Sequence, residues 1–435
     1  MNYEKTINYL YNSTPMFQKI GGKAYKEGLY NTKALDKHFN HPHKSYKTIH
    51  VAGTNGKGSC SHTLASVLQQ CGYKVGLYTS PHLLDFRERI RVNGTPIAEE
   101  YVVNFVLSNK SFFEPLHPSF FELTTAMAFC YFKDQKVDVA VVEVGLGGRL
   151  DCTNSIQPDL SIITNIGLDH TQFLGNTLAQ VANEKAGIIK LNTPVIIGET
   201  HIETRPVFET KAKELNAPIV FSQDTPYVSI ENSALTNEGG WNYSISYNGH
   251  SIKLLGELGG LYQIKNTNTI LHALERLHKL GYHITEDAIH KGFATISRST
   301  GLQGRWQKIA SSPAIICDTG HNVNGITDVV RQLKITPHHH LHIVFGMVND
   351  KDIDGVLNLL PKEATYYFTK PQISRALDEK EIQRKANQLG LKGNAYRTVE
   401  TALMDAKKNS TPNDLIFVGG SSFMVADLLS LSTIK

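Results

Sequence analysis

The segment His50-Val51-Ala52-Gly53-Thr54-Asn55-Gly56-Lys57-Gly58-Ser59 concentrates residues that suit an anion. Its three glycines let the backbone take left-handed angles and turn several N–H groups into one concavity. Lys57 adds a mobile cation, and Ser59 a hydroxyl that can ligate Mg²⁺. The common phosphate-loop pattern G-x-x-x-x-G-K-[ST] is not met, because Gly53 is two residues too close and Gly58 occupies the Ser/Thr position. The bland alternative is a glycine-rich turn with an incidental lysine, but a strand before, a helix after and Gly-Lys-Gly-Ser in register favour the phosphate loop. Glu143 closes an apolar run and opens a glycine-rich loop, where a carboxylate either holds Mg²⁺ or simply faces water. His170 follows Asp169 just past another apolar run, as a metal ligand or as a structural histidine. Gly419-Gly420-Ser421-Ser422 can bind an anion through backbone donors or merely punctuate a strand-to-helix turn.

These residues need elements to position them. Thr48–Ala52 reads as a strand, and Ser59–Cys71 carries apolar residues at helical spacing up to Gly72, so a helix dipole faces the glycine-rich loop. Tyr73–Thr79, Val137–Val144, Leu160–Ile166 and Pro194–Gly198 read as further strands. Their alternation with helical stretches predicts a mainly parallel sheet. Trp241, Tyr243, Ile245 and Tyr247 alternate with polar residues, and Asn248-Gly249 follows, which predicts an antiparallel hairpin as an extension to the parallel domain. Ser297–Gly304 is turn-rich and reads as a linker. Strands at Ala314–Cys317, Leu341–Phe345, Ala364–Phe368 and Leu415–Val418 then restart the alternation. The fold expected is α/β: a large P-loop-type domain, residues 1–297, followed by a smaller Rossmann-like domain, residues 298–435.

Composition narrows the partners. The 435 residues are 41% hydrophobic and 19% charged, which excludes global disorder. With 44 Lys+Arg against 40 Asp+Glu, the formal charge of +4 is too weak to imply nucleic acid or an anionic membrane. No pair of the five cysteines has CxxC spacing, so neither a disulfide framework nor a zinc ribbon is expected. Met1–Ile20 has no signal-peptide core, and no run approaches the ~18 apolar residues of a membrane span. A soluble cytoplasmic protein is expected. His338–His340, with His342, reads as a solvated loop.

Gly53-Thr54-Asn55-Gly56-Lys57-Gly58-Ser59 resembles the phosphate loop of the Mur ligase superfamily, whose members join a carboxylate to an amine using ATP. Its Gly-Ser ending is similar to the folylpolyglutamate synthase and dihydrofolate synthase branch. Further segments resemble that branch in the same order: Thr79–Leu83, Phe86–Ile90, Ser119–Thr124, Glu143–Asp151, Thr164–His170, Glu184–Lys190, Gly304–Trp306, Asp318–Asn322, Phe345–Met347 and Ser374–Leu377. Departures occur at Tyr262, where His is usual before Gln263, at Gln307, at Thr319-Gly320 and at Val323.

The resemblance implies ATP-driven addition of L-glutamate to the carboxylate of a folate, and of 7,8-dihydropteroate, through an acyl phosphate. It implies that Gly53 to Ser59, with Asn266, Arg305 and Asp318, contact ATP. It implies two Mg²⁺ ions held by Ser59, Ser80, Glu143 and His170. Ser119, Phe121 and Asp151 fall in the pterin region, although the Phe121 ring equally suits core packing. His321 and Ser421 resemble glutamate-binding positions, and Lys57, Lys185 and His321 form the implied catalytic set. Lys185 is implied to carry a carbamate; read from residues alone, it is a lysine on the surface of a helix spanning Glu184–Lys190. The partners implied are small molecules, without nucleic acid or membrane, acting on a monomer. The alternatives are a cell-wall Mur ligase and a nucleotide-gated binding module without ligase activity.

Overall fold

The computed structural model describes residues 1–13, 28–225, 228–236, 238–247 and 249–431. Among these the chain divides into two compact units. The first comprises residues 1–234, 242–257 and 263–302, and the second residues 235–241, 258–262 and 303–435.

In the first unit, Lys47–Ala52 (β1) is buried from Thr48 onward, as a strand covered on both faces must be. It runs parallel to Val139–Glu143 (β5) on one side and Leu160–Ile163 (β6) on the other. The sheet continues through Val75–Tyr78 (β2) to the short Ile90–Val92 (β3) and Thr95–Pro96 (β4), and through Val195–Ile197 (β7) to Ile219–Phe221 (β8). Its order is β4-β3-β2-β5-β1-β6-β7-β8. Only the β2–β3–β4 edge is antiparallel. The helix Lys57–Gln70 follows β1 and is buried from Gly58 to Leu68. The helix Phe120–Asp134 packs its aromatic side chains into a core with Tyr78, Phe86 and Phe113.

The expected antiparallel extension is a three-stranded sheet of its own. Val228–Leu235 (β9), Trp241–Tyr247 (β10) and His250–Gly256 (β11) pair in the order β11-β10-β9. Trp241, Tyr243 and Ile245 are buried while Asn242 is exposed, so the period-two pattern does mark a half-covered strand. Asn248 of the expected Asn-Gly turn lies outside the described residues, as do residues 14–20 of the N-terminal stretch; Tyr3–Ser13 is a helix.

In the second unit, the strands are Gln307–Ser311 (β12), Ala314–Cys317 (β13), Leu341–Phe345 (β14), Thr365–Phe368 (β15), Gly393–Ala395 (β16) and Leu415–Gly419 (β17). They lie in the order β12-β13-β17-β14-β15-β16, parallel except for the β12 edge. Ile343, Phe345, Tyr366, Phe368 and Phe417 fill its core. The linker is not turn alone, since Ile296–Thr300 forms a short helix that Gly301 ends in left-handed conformation. His342 is no loop residue either. It is buried in β14, with its Nδ1 3.0 Å from the Tyr367 hydroxyl.

All five cysteines are free thiols. Among the described residues, no helix is long and apolar enough to cross a membrane.

Candidate active site

The candidate site of the first unit lies where β1, β5 and β6 end side by side, the edge at which open parallel sheets gather ligands. The shape of the loop after β1 is imposed by the loop after β6. Thr164 donates its hydroxyl to the Asn55 carbonyl at 2.5 Å. The Thr54 amide donates to the Asn165 carbonyl at 3.0 Å, and the Asn55 amide to Asn165 Oδ1 at 2.8 Å. The Thr54 hydroxyl donates to the Gly167 carbonyl at 3.0 Å and lies 2.9 Å from the Gly167 amide. Gly53 has φ +150° and lies so close to Thr164 that a Cβ there would strike its hydroxyl. Gly56, with φ +83°, caps the following helix, and no side chain caps that N-terminus.

Two lysines converge on one carbonyl. Lys57 Nζ donates to the Gly53 oxygen at 2.9 Å and to the Thr54 oxygen at 3.2 Å. Lys185 Nζ donates to the same Gly53 oxygen at 3.0 Å. Lys185 is 3% exposed, so the surface placement read from its helix is corrected. The helix runs Leu178–Ala186, starting and ending earlier than the expected Glu184–Lys190, and just past its end the chain at Gly187 passes so near Arg149 that a Cβ would strike it. Burial first, and then the Lys57 charge, bring the Lys185 amine down to about 7. The Glu184 carboxylate pairs with Arg149 at 2.9 Å.

Glu143 ends β5 and is 4% exposed, accepting the Ser80 backbone N–H at 3.1 Å. It belongs to a buried strand end rather than to a loop in water. Ser59 is fully buried, and its Oγ accepts from Gln263 at 3.1 Å. Gln263 in turn accepts from Asn266 at 2.8 Å, and Asn266 lies against Gly56. His170 adopts φ +50° beside Asp169, its Nε2 3.9 Å from an Asp169 oxygen.

The residues expected to meet a pterin have local partners. Ser119 caps the helix Phe120–Asp134 in a reciprocal box with Glu122. Asp151 accepts from the Thr153 amide and hydroxyl and from the Leu146 amide, which anchors the Gly145–Gly148 loop. Burial raises its carboxyl above the usual range. The Phe121 ring lies 5.8 Å from that of Tyr78, nearly parallel, and abuts Gly145.

Gln263 and Arg89 escaped the reading from residues. Gln263 bridges Ser59 and Asn266, and only its place one residue after Tyr262 drew notice. The buried Arg89 donates to His82 Nδ1 at 2.8 Å, and His82 Nε2 lies 3.3 Å from the Tyr11 hydroxyl. Burial and then the Arg89 charge hold the His82 imidazole well below its ordinary value, hence neutral. Arg87 is engaged otherwise, with Asp85 at 2.8 Å and Glu99 at 3.3 Å.

In the second unit, Asp318 accepts from the Tyr262 hydroxyl at 2.5 Å, the Trp306 amide at 2.7 Å and the Gly320 amide at 2.7 Å. Arg305 donates to the Thr319 hydroxyl, and His321 Nδ1 lies 2.9 Å from the Thr319 carbonyl oxygen. Ser421 caps the helix Ser422–Ser430. The departures at Tyr262 and Thr319 thus supply partners to Asp318, Arg305 and His321. Gln307 accepts the Gly304 amide at 2.7 Å.

Comparison with known proteins agrees with this architecture. Residues 51–274 match the Mur ligase middle domain, and residues 304–422 the Mur ligase, glutamate ligase domain. The dihydrofolate synthase/folylpolyglutamate synthase of Bacillus subtilis is 32% identical over 415 residues, covering 93% of this chain and 94% of that protein. A probable bifunctional folylpolyglutamate synthase/dihydropteroate synthase of Haloferax volcanii is 31% identical over 98% of this chain, which spans 50% of that protein's length. Among solved structures, Escherichia coli FolC in complex with DHPP and ADP superposes with a TM-score of 0.84 at 29% identity, covering 99% of this chain and 97% of that one. A bifunctional folylpolyglutamate synthase/dihydrofolate synthase with Mn, AMPPNP and L-glutamate bound gives 0.82 at 27% identity, covering 99% and 98%. The strand-end loops, the buried lysine and both domain matches lead to one assignment: the chain belongs to the Mur ligase family, in its folylpolyglutamate synthase/dihydrofolate synthase branch.

Proposed function

We propose that the protein is an ATP-dependent ligase that adds L-glutamate to the carboxylate of a folate, and also to 7,8-dihydropteroate. A carboxylate is a poor electrophile at neutral pH. Transfer of the γ-phosphoryl group to it releases ADP and yields an acyl phosphate. The glutamate amine then attacks the carbonyl carbon, and phosphate leaves. Most of the catalysis must come from fixed donors and charge neutralisation, because phosphoryl transfer between anions asks little else of a protein.

The observation that carries the reading is the loop Gly53–Ser59, clamped in shape by Thr164–Gly167 and ending in an uncapped helix N-terminus beside the strand that bears Glu143. Gly53 to Ser59 are assigned to the ATP phosphates. Lys57 crosses to them from its resting contact on the Gly53 carbonyl. Asn266, Arg305 and Asp318 are assigned to the nucleotide as well. Ser59, Ser80, Glu143 and His170 would hold two divalent cations; a buried hydroxyl and a buried carboxylate are the hard oxygen donors that Mg²⁺ takes. Bound there, such cations would neutralise the phosphate oxygens. Ser119, Phe121 and Asp151 are assigned to the pterin. For Ser119 and Asp151 that means shaping the wall, since their side-chain oxygens already serve the backbone. His321 and Ser421 are assigned to glutamate.

The carbamate of Lys185 has physical support. Only the neutral amine attacks CO₂, forming N–C and releasing one proton, and an amine near 7 is substantially neutral at physiological pH. The product keeps one N–H for the Gly53 carbonyl. The Lys57 charge, which opposes a second ammonium, favours the carbamate anion. We assign the enzyme to the cytoplasm as a monomer acting on small molecules.

Coupled ADP release tests the function. Release should depend on L-glutamate with tetrahydrofolate and with dihydropteroate, and a cell-wall nucleotide should support none. Stimulation by neither pterin overturns the reading, and ADP release indifferent to glutamate favours a nucleotide-gated module.

A further inference from the structure

The turn between the helix Tyr30–His38 and the single turn Pro42–Ser45 brings together three side chains that the ligase site does not use. Asn40 and His41 both take left-handed backbone angles, φ +55° and +50°, which only a minority of non-glycine residues adopt. This reversal lets the His41 amide donate to the Asp36 carbonyl at 2.9 Å and sets His41 Nδ1 2.5 Å from Asp36 Oδ2. Pro42 then starts the next turn, and His43 Nε2 comes to 3.2 Å from the other oxygen, Asp36 Oδ1. One ligand atom from each of the three residues lies within 4.8 Å of the other two. His43 is buried, edge-on to the Phe129 ring, while His41 leaves an open side toward solvent.

Two imidazoles against one carboxylate can be no more than an ion-paired turn. One atom argues for more. Asp36 Oδ1 is shielded from solvent yet accepts no hydrogen bond, although His43 Nε2 is within ion-pair range. A buried carboxylate oxygen without a donor is costly unless something else satisfies it. Two imidazoles and a carboxylate with a fourth position open to water are a donor set of zinc-class ions; Mg²⁺ and Ca²⁺ take oxygen almost alone. We propose that Asp36, His41 and His43 form a binding site for a divalent transition-metal ion of the zinc class, which ties the Tyr30–His38 helix to the turn that enters β1.

The test is titration of the full chain with Co²⁺ in excess Mg²⁺ and ADP, read by visible absorption and by equilibrium dialysis. The double variant His41→Ala/His43→Ala should bind one Co²⁺ fewer than the native chain. Each single variant should weaken that site by at least the roughly 10–100-fold that loss of a mere outer-shell partner costs. Glutamate-dependent ADP release should stay native, which also checks folding. Equal stoichiometry in the double variant overturns the proposal and assigns any binding to other histidines, such as the His338–His342 tract. If the double variant fails to fold, zinc-edge anomalous scattering from soaked native crystals decides. A peak among the three side chains supports the site, and its absence overturns it.

Discussion

Two turns in this protein share a plan: a buried parallel strand, glycine, then a helix. After β1 the turn is Gly53–Ser59; after β17 it is Gly419–Ser422. They differ in what caps the helix. At the first, Gly56 is the cap residue and contributes no side chain. At the second, the Ser421 hydroxyl accepts from the Phe423 amide at 3.1 Å and the Met424 amide at 3.3 Å. A helix N-terminus carries unsatisfied donors and partial positive charge, and these are available to a ligand only where the chain does not use them. The first turn is therefore built to receive an anion. In the second, the serine has already answered two donors, and its hydroxyl proton is what it has left to offer a substrate carboxylate. The first turn also has two lysines on its Gly53 carbonyl.

The largest effect should come from Lys57→Ala, which removes the mobile cation from the first turn. Turnover should fall by about 10²–10³, the usual range for one electrostatic donor. Circular dichroism should stay native, since the Lys57 ammonium donates to loop carbonyls and is no part of the apolar core. Near-native kcat would break the distinction drawn between the turns.

Next is Lys185. Its amine is near 7 in the folded chain against an ordinary value of 10.5, so the unfolded chain binds the extra proton between those pH values. Stability must therefore rise with pH across that window, and the gain is lost as pH falls back toward 7. Denaturant unfolding at several pH values, with CO₂ excluded, should show this rise in the native chain. The rise should be smaller in Lys185→Met; equal slopes would mean that the buried amine does not titrate there.

Gly53→Ala should cost a few kcal/mol, because the left-handed backbone and the nearby Thr164 hydroxyl both oppose a Cβ. Its unfolding midpoint should drop, and nucleotide affinity should drop with it. The smallest effect belongs to the second turn. Ser421→Ala should lose about 1 kcal/mol, the ordinary value of an N-cap. It should raise KM for glutamate while leaving ADP binding unchanged. A loss of ADP affinity as large as that of Gly53→Ala would make the two turns equivalent and sink the comparison.

Much of this was legible in the residues. β13 and β14 lie where the apolar runs put them, and β1, β5 and β17 differ by a residue or two at their ends, because a strand buried on both faces must be continuously apolar. Gly53–Ser59 was legible because backbone geometry leaves few ways to wrap an anion. The edge strands were not. Gln307–Ser311 and Gly393–Ala395 are partly exposed and polar, and only their partners make them strands. Nor were the Arg89–His82–Tyr11 contacts, which join residues 71 positions apart.

What the sequence alone determined is the chemistry on offer: a glycine-rich loop with a lysine, a carboxylate at a strand end, and ordered motifs that resemble one family. Those are properties of residue type and local spacing. What only the tertiary structure decided is the state of those groups. Lys185 is an ordinary helical lysine until the loop after β1 closes over it, beside Lys57. Burial and a neighbouring charge, neither of which is local in the chain, are what bring its amine toward neutrality.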